Sequence, residues 1–215
     1  MNHLYYYPGN ASFAPHVILR ETGMDFELHL LDRANREHKG ESYRKLNPAG
    51  RIPAFVSGDL VLFESAAICL HLSDNAPEAG LAPPLGTPER AHFYKWLMFL
   101  TNTIQPDMLM FYYNHRYTTA KECRQSVQQA ADRRLVEWFG LVEEALPAGG
   151  WFLGEDYSVL DIYLVMLMRW GRNLSRPPTG LPRMGGLAAR VLARPAVKAA
   201  IEAEAIEGPF LGDGS

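Results

Sequence analysis

LNPAGRIPAF (residues 46–55), followed by FESAAI (63–68), is the stretch of this chain that decides its fold. Pro53 has no backbone N–H and holds the preceding peptide bond in the cis form at low cost. A cis bond there would turn the N–H and C=O of Ile52 outward, where they pair with a peptide-like ligand as an added strand does. The helix that begins near Ser65 offers unpaired N–H groups and a positive dipole end, which suit a carboxylate. The sequence therefore predicts a site for a small, charged peptide.

The composition is that of a globular protein with a full core. The chain has 215 residues, 47% of them hydrophobic and 21% charged, so one large or two small domains are expected. The net charge is −3 and the basic residues are scattered, which indicates no nucleic-acid partner. The longest apolar run, Ile162 to Met168, is too short to cross a membrane, and the N-terminus reads as a strand instead of a secretory signal. Cys69 and Cys123 form no disulfide framework and no metal-binding pattern. We therefore expect a cytoplasmic protein without a metal.

The first part of the chain alternates strand and helix patterns, and the rest contains helical patterns alone. This order predicts a small mixed sheet covered by helices, followed by an all-helical domain. Pro106 should kink or interrupt a long helix, and Ser158 with Asp161 forms a variant of the capping box before an apolar helix. The predicted strands are 4–7, 26–30, 54–56 and 61–63, and the last two predicted helices are 183–192 and 195–207. The predicted bounds are a first domain at 1–77, a proline- and glycine-rich linker at 78–87 and a second domain at 88–215.

These signals together resemble the glutathione S-transferase family over nearly the whole chain. The resemblance is carried by NPAGRIP (47–53), by Glu64-Ser65 and by the Ser158–Asp161 cap. The first helix, SFAPHVILRE (12–21), is most similar to bacterial, beta-class-like members. The resemblance implies an α/β plus all-α fold, with a thioredoxin-like first domain containing a mixed sheet and a helical second domain. It also implies a homodimer.

The resemblance further implies which residues bind glutathione, the expected co-substrate. Ile52, next to Pro53, would pair its backbone with the cysteinyl part. Glu64 would hold the ammonium of the γ-glutamyl group, while Ser65 and the helix N-terminus would hold its carboxylate. The alternative interpretation is that Glu64 and Ser65 only cap the helix, since acids and hydroxyls favour helix starts. The basic residues implied to meet the glycyl carboxylate are Arg51, Lys39 and His38.

Glutathione chemistry needs the thiolate, and a free thiol has a pKa of about 8.5. Hydrogen bonds from a hydroxyl or an amide, with a helix N-terminus, are strong enough to lower this pKa by about two units. The donors should lie between the first strand and the first helix, where Ser12, Asn10 and Tyr6 are the candidates. Each has a structural alternative: a helix cap for Ser12, a turn residue for Asn10 and a core aromatic residue for Tyr6. The sequence leaves the donor open.

Two positions depart from the beta-class pattern. Ala11 stands where those members carry a cysteine, and Gln105 stands near where they carry a histidine. Both changes weaken a disulfide-exchange interpretation, and Ala11 excludes a mixed disulfide at that position. An apolar pocket for the second substrate would be lined by Met108, Phe111, Tyr112 and Trp170, whose alternative role is to fill the helical core.

The predicted function is therefore conjugation of the glutathione thiolate to a small apolar electrophile. Two alternatives stay open at this point. One is a glutathione-dependent isomerase or disulfide reductase, in which the thiol acts as a catalyst. The other is a non-catalytic glutathione-binding or regulatory protein of the same fold.

Overall fold

The computed structural model describes residues 1–212, and contacts within the chain divide it into two compact units. The first unit consists of Met1–Ala82 together with Leu192–Gly208, and the second consists of Pro83–Val191 together with residues 209–212. The boundary between Ala82 and Pro83 falls inside the predicted linker. Within residues 1–212, no helix combines the length and the apolar character needed to cross a membrane.

The secondary structure follows the predicted order of elements. The strands are β1 (Asn2–Tyr6), β2 (Phe26–Leu30), β3 (Ala54–Ser57) and β4 (Leu60–Phe63). The helices are α1 (Phe13–Glu21), α2 (Glu41–Arg44), α3 (Ser65–Asp74), α4 (Pro88–Phe99), α5 (Gln105–Tyr112), α6 (Arg124–Ala145), α7 (Val159–Trp170), α8 (Pro182–Ala193) and α9 (Pro195–Ala203). The predicted fold class, a mixed sheet with helices followed by helices alone, is confirmed.

The four strands of the first unit form one mixed sheet in the order β2-β1-β3-β4. β1 is parallel to β2, whereas the β1–β3 and β3–β4 pairs are antiparallel. Side chains alternate across a strand, so Leu4 and Tyr6 of β1 are buried while Tyr5 points to the other face. α1 is apolar over most of its length, and it packs against α3 and α9.

By its contacts the last helix groups with the first unit, and the predicted domain bounds of 1–77 and 88–215 stay a prediction. α9 packs along α1, and Arg194 makes a bidentate ion pair with Glu21 at the end of α1, with N–O distances of 2.6 and 2.8 Å. This helix was predicted to continue to residue 207 but ends at Ala203. Ala205 has a φ of +49°, a conformation that does not continue a helix.

The second unit is helical, as predicted. A π-helical segment, Leu100–Ile104, separates α4 from α5 just before Pro106. The interruption agrees with the expected effect of this proline, which cannot donate a hydrogen bond to the preceding turn. Asp107 joins α5 to α6 because its carboxylate accepts two hydrogen bonds from Arg134, at 2.9 and 2.8 Å, and one from the Trp138 indole at 3.0 Å.

The predicted capping box forms at the start of α7. The Ser158 hydroxyl accepts a hydrogen bond from the Leu160 N–H at 3.2 Å, and Asp161 accepts one from the Ser158 N–H at 2.8 Å. The Asp161 carboxylate also accepts the Phe152 N–H at 2.7 Å, so it ties the preceding loop to the helix. Burial raises the pKa of Asp161 to about 6, against the opposing effect of these hydrogen bonds.

We expect Asp161→Ala to lower the free energy of unfolding by about 2–4 kcal/mol, because it leaves the buried N–H groups of Phe152 and Ser158 without an acceptor. Ser158→Ala removes one cap and should cost about 1 kcal/mol. Urea unfolding followed by circular dichroism at pH 7 measures both values. Equal losses for the two variants would contradict this account of the loop.

Candidate functional site

The segment before β3 presents an unpaired stretch of backbone. The Ile52–Pro53 peptide bond is cis, and the Ile52 side chain is buried in a cluster with Leu31 and Tyr43. None of the hydrogen bonds within residues 1–212 uses the N–H or C=O of Ile52. These two backbone groups are therefore available to an extended ligand, which would pair with them as a strand does.

Asn47 holds this segment in place. Its side-chain amide donates hydrogen bonds to the carbonyl oxygens of Arg51 at 2.8 Å and of Pro53 at 3.3 Å. The Tyr43 hydroxyl donates a further hydrogen bond to the Arg51 carbonyl at 2.7 Å. Since Asn47 and Tyr43 are both buried, the backbone on either side of Ile52 is fixed before a ligand arrives. Asn47 was part of the sequence motif, but its holding role appears only in the structure.

Glu64 and Ser65 begin α3 but do not cap it. Glu64 occupies the N-cap position with φ +71° and ψ +111°, and no side chain caps the helix. The Ser65 side chain is buried, yet its hydroxyl makes no hydrogen bond with any residue in 1–212. A left-handed φ at a residue other than glycine is uncommon and is found often at functional sites. The interpretation of these two residues as a simple cap is therefore not supported.

The basic residues near this segment differ in how they are held. The Lys39 ammonium donates to the carbonyl oxygens of Gly50 at 2.5 Å and of Ala49 at 3.4 Å. Burial and the neighbouring cations lower the pKa of His38, so its ring is neutral at pH 7. Arg51 is exposed. Gly50 is required here because its φ is +57° and a Cβ would lie 2.8 Å from the His38 carbonyl oxygen.

The loop before α1 contains two of the predicted thiol donors, and their hydrogen bonds differ. Ser12 is fully buried, and its hydroxyl donates to the Tyr7 carbonyl at 3.2 Å and accepts from the Tyr7 N–H at 3.3 Å. The only proton of that hydroxyl is therefore used within the loop. Asn10 accepts the Ala11 N–H with its side-chain oxygen at 2.6 Å. This bond fixes the amide, whose NH₂ group has no partner among residues 1–212.

Tyr6, the third predicted donor, lies in a buried polar environment. Its ring is 6.4 Å from the ring of His16. Burial, and secondarily the charge of Glu204, raise the pKa of the Tyr6 phenol. The phenol is therefore protonated at neutral pH and remains a hydrogen-bond donor.

Glu204 and His16 form a buried network that the sequence did not predict. Glu204 bonds to His16 Nδ1 at 2.9 Å through one oxygen and accepts the Gly9 N–H at 2.8 Å through the other. His16 Nε2 faces the Nε–H of Arg20 at 2.8 Å. Because an arginine nitrogen only donates, His16 Nε2 must accept, so the ring proton lies on Nδ1 and points to Glu204.

This network fixes the loop that contains the thiol-donor candidates. Gly9 directly precedes Asn10, and His16 lies in α1. The Glu204 carboxylate therefore joins this loop to α1. Glu204 and His16 are separated by 188 residues. No local pattern indicates such a pair, because the only sequence signal is a glutamate next to an apolar helix.

We expect Glu204→Ala to lower the free energy of unfolding by about 2–4 kcal/mol, since the fully buried His16 ring would keep an N–H donor that loses its carboxylate acceptor. Glu202→Ala is the matched control. Glu202 lies in the last turn of α9, two residues before Glu204, and is exposed, so its loss should change stability by less than about 0.5 kcal/mol. Chemical denaturation measures both variants. A Glu204→Ala protein as stable as the control would show that the carboxylate does not hold the loop.

The residues predicted for the second substrate lie in the helical unit. Met108 and Phe111 of α5 are buried, with 1% and 8% of their surface exposed, whereas Tyr112 is 40% exposed. The Tyr112 hydroxyl donates to the carbonyl of Trp170 at the end of α7, at 2.5 Å. Gln105 accepts a hydrogen bond from the Tyr163 hydroxyl at 2.6 Å. The assignment of these residues to a substrate pocket stays a prediction.

Comparisons with known proteins identify the family of this chain. Residues 2–74 match the family model described as the N-terminal domain of glutathione S-transferase, and residues 103–204 match the one for its C-terminal domain. The chain is 30% identical over 206 residues to glutathione S-transferase GstA of Escherichia coli O157:H7, which covers 95% of this chain and 99% of that protein. The chain belongs to the glutathione S-transferase family.

Solved structures of bacterial members are similar over nearly the whole chain. The beta-class glutathione S-transferase of Sphingomonas chungbukensis is 31% identical, with a TM-score of 0.81, over 95% of this chain and all of that one. A sphingomonad glutathione S-transferase complexed with glutathione gives the same identity, coverage and TM-score. The family predicted from NPAGRIP, Glu64-Ser65 and the Ser158–Asp161 cap is confirmed, as is the thioredoxin-like fold of the first domain. The chain is a transferase of this family.

Proposed function

We propose that the enzyme ionises the thiol of glutathione beside Asn10 and transfers the thiolate to a small apolar electrophile. The proposal rests mainly on a set of unpaired polar groups that lie at or just before the start of three elements of the first unit. These are the Ile52 backbone before β3, the Ser65 hydroxyl at the start of α3 and the Asn10 amide before α1. Polar groups that are held in place and have no partner within residues 1–212 are available to hydrogen-bond a polar ligand.

The γ-glutamyl and cysteinyl parts are assigned by charge and hydrogen-bonding capacity. The Ser65 hydroxyl and the free N–H groups of the first turn of α3 suit the carboxylate of the γ-glutamyl group, because a helix N-terminus favours an anion. The exposed Glu64 carboxylate suits its ammonium. The N–H and C=O of Ile52, held by the segment that contains Pro53, would pair with the cysteinyl backbone.

The glycyl carboxylate is assigned to Arg51 and Lys39. Arg51 is exposed and always charged, and the Lys39 ammonium is held by two loop carbonyl oxygens at the same turn. His38 is a poor third candidate because its lowered pKa leaves the ring neutral. Arg51 and Lys39 would thus face the glycyl carboxylate of glutathione. Glu64 and the N-terminus of α3 would face the ammonium and the carboxylate of its γ-glutamyl group.

The thiol-stabilising role is assigned first to Asn10. Its NH₂ group is oriented by the Ala11 N–H and keeps both of its hydrogens for a ligand. The Ser12 hydroxyl has no proton left to donate, since that proton is bonded to the Tyr7 carbonyl. Tyr6 remains a second donor because its phenol stays protonated. Ala11 offers no thiol of its own, which favours transfer over disulfide exchange.

The second substrate and the assembly follow from the family resemblance. Met108, Phe111, Tyr112 and Trp170 are proposed to contact the apolar electrophile, and Tyr112 is the most exposed of the three on α5. Because the enzyme would bind both reactants, proximity would supply a large part of the rate acceleration. We propose a cytoplasmic homodimer as the working form.

We expect Ser65→Ala to weaken glutathione binding by roughly 10- to 100-fold, because a hydrogen bond to a charged group contributes about 1.5–3 kcal/mol. Ser12→Ala should weaken binding less, and Ser42→Ala, at an exposed serine on α2, is the matched control. Isothermal titration calorimetry gives the dissociation constants. An affinity of Ser65→Ala equal to that of the parent would exclude the proposed position of the γ-glutamyl group.

We expect Asn10→Ala to raise the pKa of the bound glutathione thiol by about one unit, the effect of losing one hydrogen bond to the thiolate. Ser12→Ala should leave that pKa unchanged and instead lower the free energy of unfolding by about 1–2 kcal/mol, because it opens the loop at Tyr7. The ultraviolet absorbance of the bound thiolate, titrated against pH, measures the pKa. If Ser12→Ala shifts it as much as Asn10→Ala does, the assignment of the donor is wrong.

A further inference from the structure

Two histidines and a glutamate meet on the open face of the sheet in the first unit. His3 lies on β1, and Glu27 and His29 lie on β2. One ligand atom from each lies within 4.8 Å of the other two. Neither the thiol-donor loop nor the start of α3 includes any of these residues, so the cluster is separate from the proposed glutathione site.

The distances within the cluster match those between the ligands of a tetrahedral zinc ion. With zinc–nitrogen and zinc–oxygen bonds of about 2.0–2.2 Å, two ligand atoms of a tetrahedron lie about 3.3–3.6 Å apart. His3 Nδ1 lies 3.0 Å from His29 Nε2 and 3.3 Å from Glu27 Oε2, and the third edge, from His29 Nε2 to Glu27 Oε2, is 3.9 Å. One of the three observed distances is shorter than this range, one is close to it and one is longer. Small rotations of the side chains would therefore bring all three ligand atoms within bonding distance of one ion.

The sheet holds these residues on one face without help from a metal. β1 and β2 are parallel and in register, with His3 opposite Glu27 and Tyr5 opposite His29. The Tyr5 ring stacks on His29 at 4.7 Å with an interplanar angle of 20°, which fixes the orientation of that imidazole. The side chains are partly exposed, at 33% for His3, 38% for His29 and 56% for Glu27. An ion can therefore reach the site from solvent.

From this geometry we propose that His3, Glu27 and His29 bind one Zn²⁺ ion, or a similar divalent transition metal, with water in the fourth position. Two imidazoles and a carboxylate form a ligand set that such ions prefer over Mg²⁺ or Ca²⁺. Without metal, one of the two facing ring nitrogens donates its N–H to the other, at 3.0 Å. On coordination that proton moves to the other nitrogen of the same ring, and both facing lone pairs bind the ion.

The bound ion would join β1 to β2 through side chains as well as through the backbone ladder. Glu27 and His29 are separated from His3 by more than twenty residues, so the three ligands come together only in the folded chain. A ligand that binds the folded state alone stabilises it by mass action. Zinc binding should therefore raise the melting temperature of the protein.

Zinc titration of the full chain by calorimetry tests the proposal. The protein should carry no histidine tag, a Cys123→Ser background removes the exposed thiol, and glutathione is left out because its thiol also binds zinc. The test variants are Glu27→Gln, which changes an exposed side chain and should not disturb folding, and His29→Gln. His92→Gln, at an exposed histidine of α4, is the matched control.

We expect one Zn²⁺ per chain in the parent and in His92→Gln, with binding at least about tenfold weaker in Glu27→Gln and His29→Gln. Co²⁺ in place of Zn²⁺ should give the visible absorption of a tetrahedral site in the parent and lose it in both test variants. A rise in melting temperature with Zn²⁺ that is reversed by EDTA should follow the same pattern. Absence of binding in the parent, or equal affinity in all four proteins, would overturn the proposal.

Discussion

The carboxylate of Glu204 is the group on which the candidate thiol site depends. It is fully buried, and it gives one oxygen to the His16 ring and the other to the N–H of Gly9. The loop that includes Asn10 is thereby bonded to a residue next to α9, while His16 is bonded to Arg20 along its own helix. A buried carboxylate is stable only when its hydrogen bonds are complete. The position of this loop is consequently coupled to the packing of the last helix on the first.

The polar groups proposed to bind glutathione share one property: each is unpaired, and each is adjacent to a residue that is firmly held. The Ile52 backbone follows a segment fixed by Asn47 and Tyr43. The Asn10 amide is oriented by the Ala11 N–H. A site prepared in this way loses little conformational entropy when the ligand binds. The sheet likewise fixes the positions of His3, Glu27 and His29 on its open face, because the register of β1 and β2 decides which side chains are neighbours.

The sequence predicted those parts of the structure that local patterns encode. Alternating apolar residues gave the strands to within one or two residues, and the turn at Gly58 gave the hairpin. The capping box at Ser158 and the interruption before Pro106 were predicted because each depends on residues a few positions apart. The end of α9 was placed four residues too late. The end of this helix depends on its contacts with α1, which no local pattern records.

The sequence by itself determined the family, the order of the elements and the segment of backbone that suits a short charged peptide. These follow from short-range patterns, which keep their meaning whatever the rest of the chain does. Only the tertiary structure decided that the Ser12 hydroxyl closes its own loop, that the Asn10 amide stays free and that Glu204 reaches His16. It also decided that His3 meets His29. A polar group is hydrogen-bonded or left available according to which groups the fold brings within about 3 Å of it, and the order of residue types along the chain does not show that beforehand.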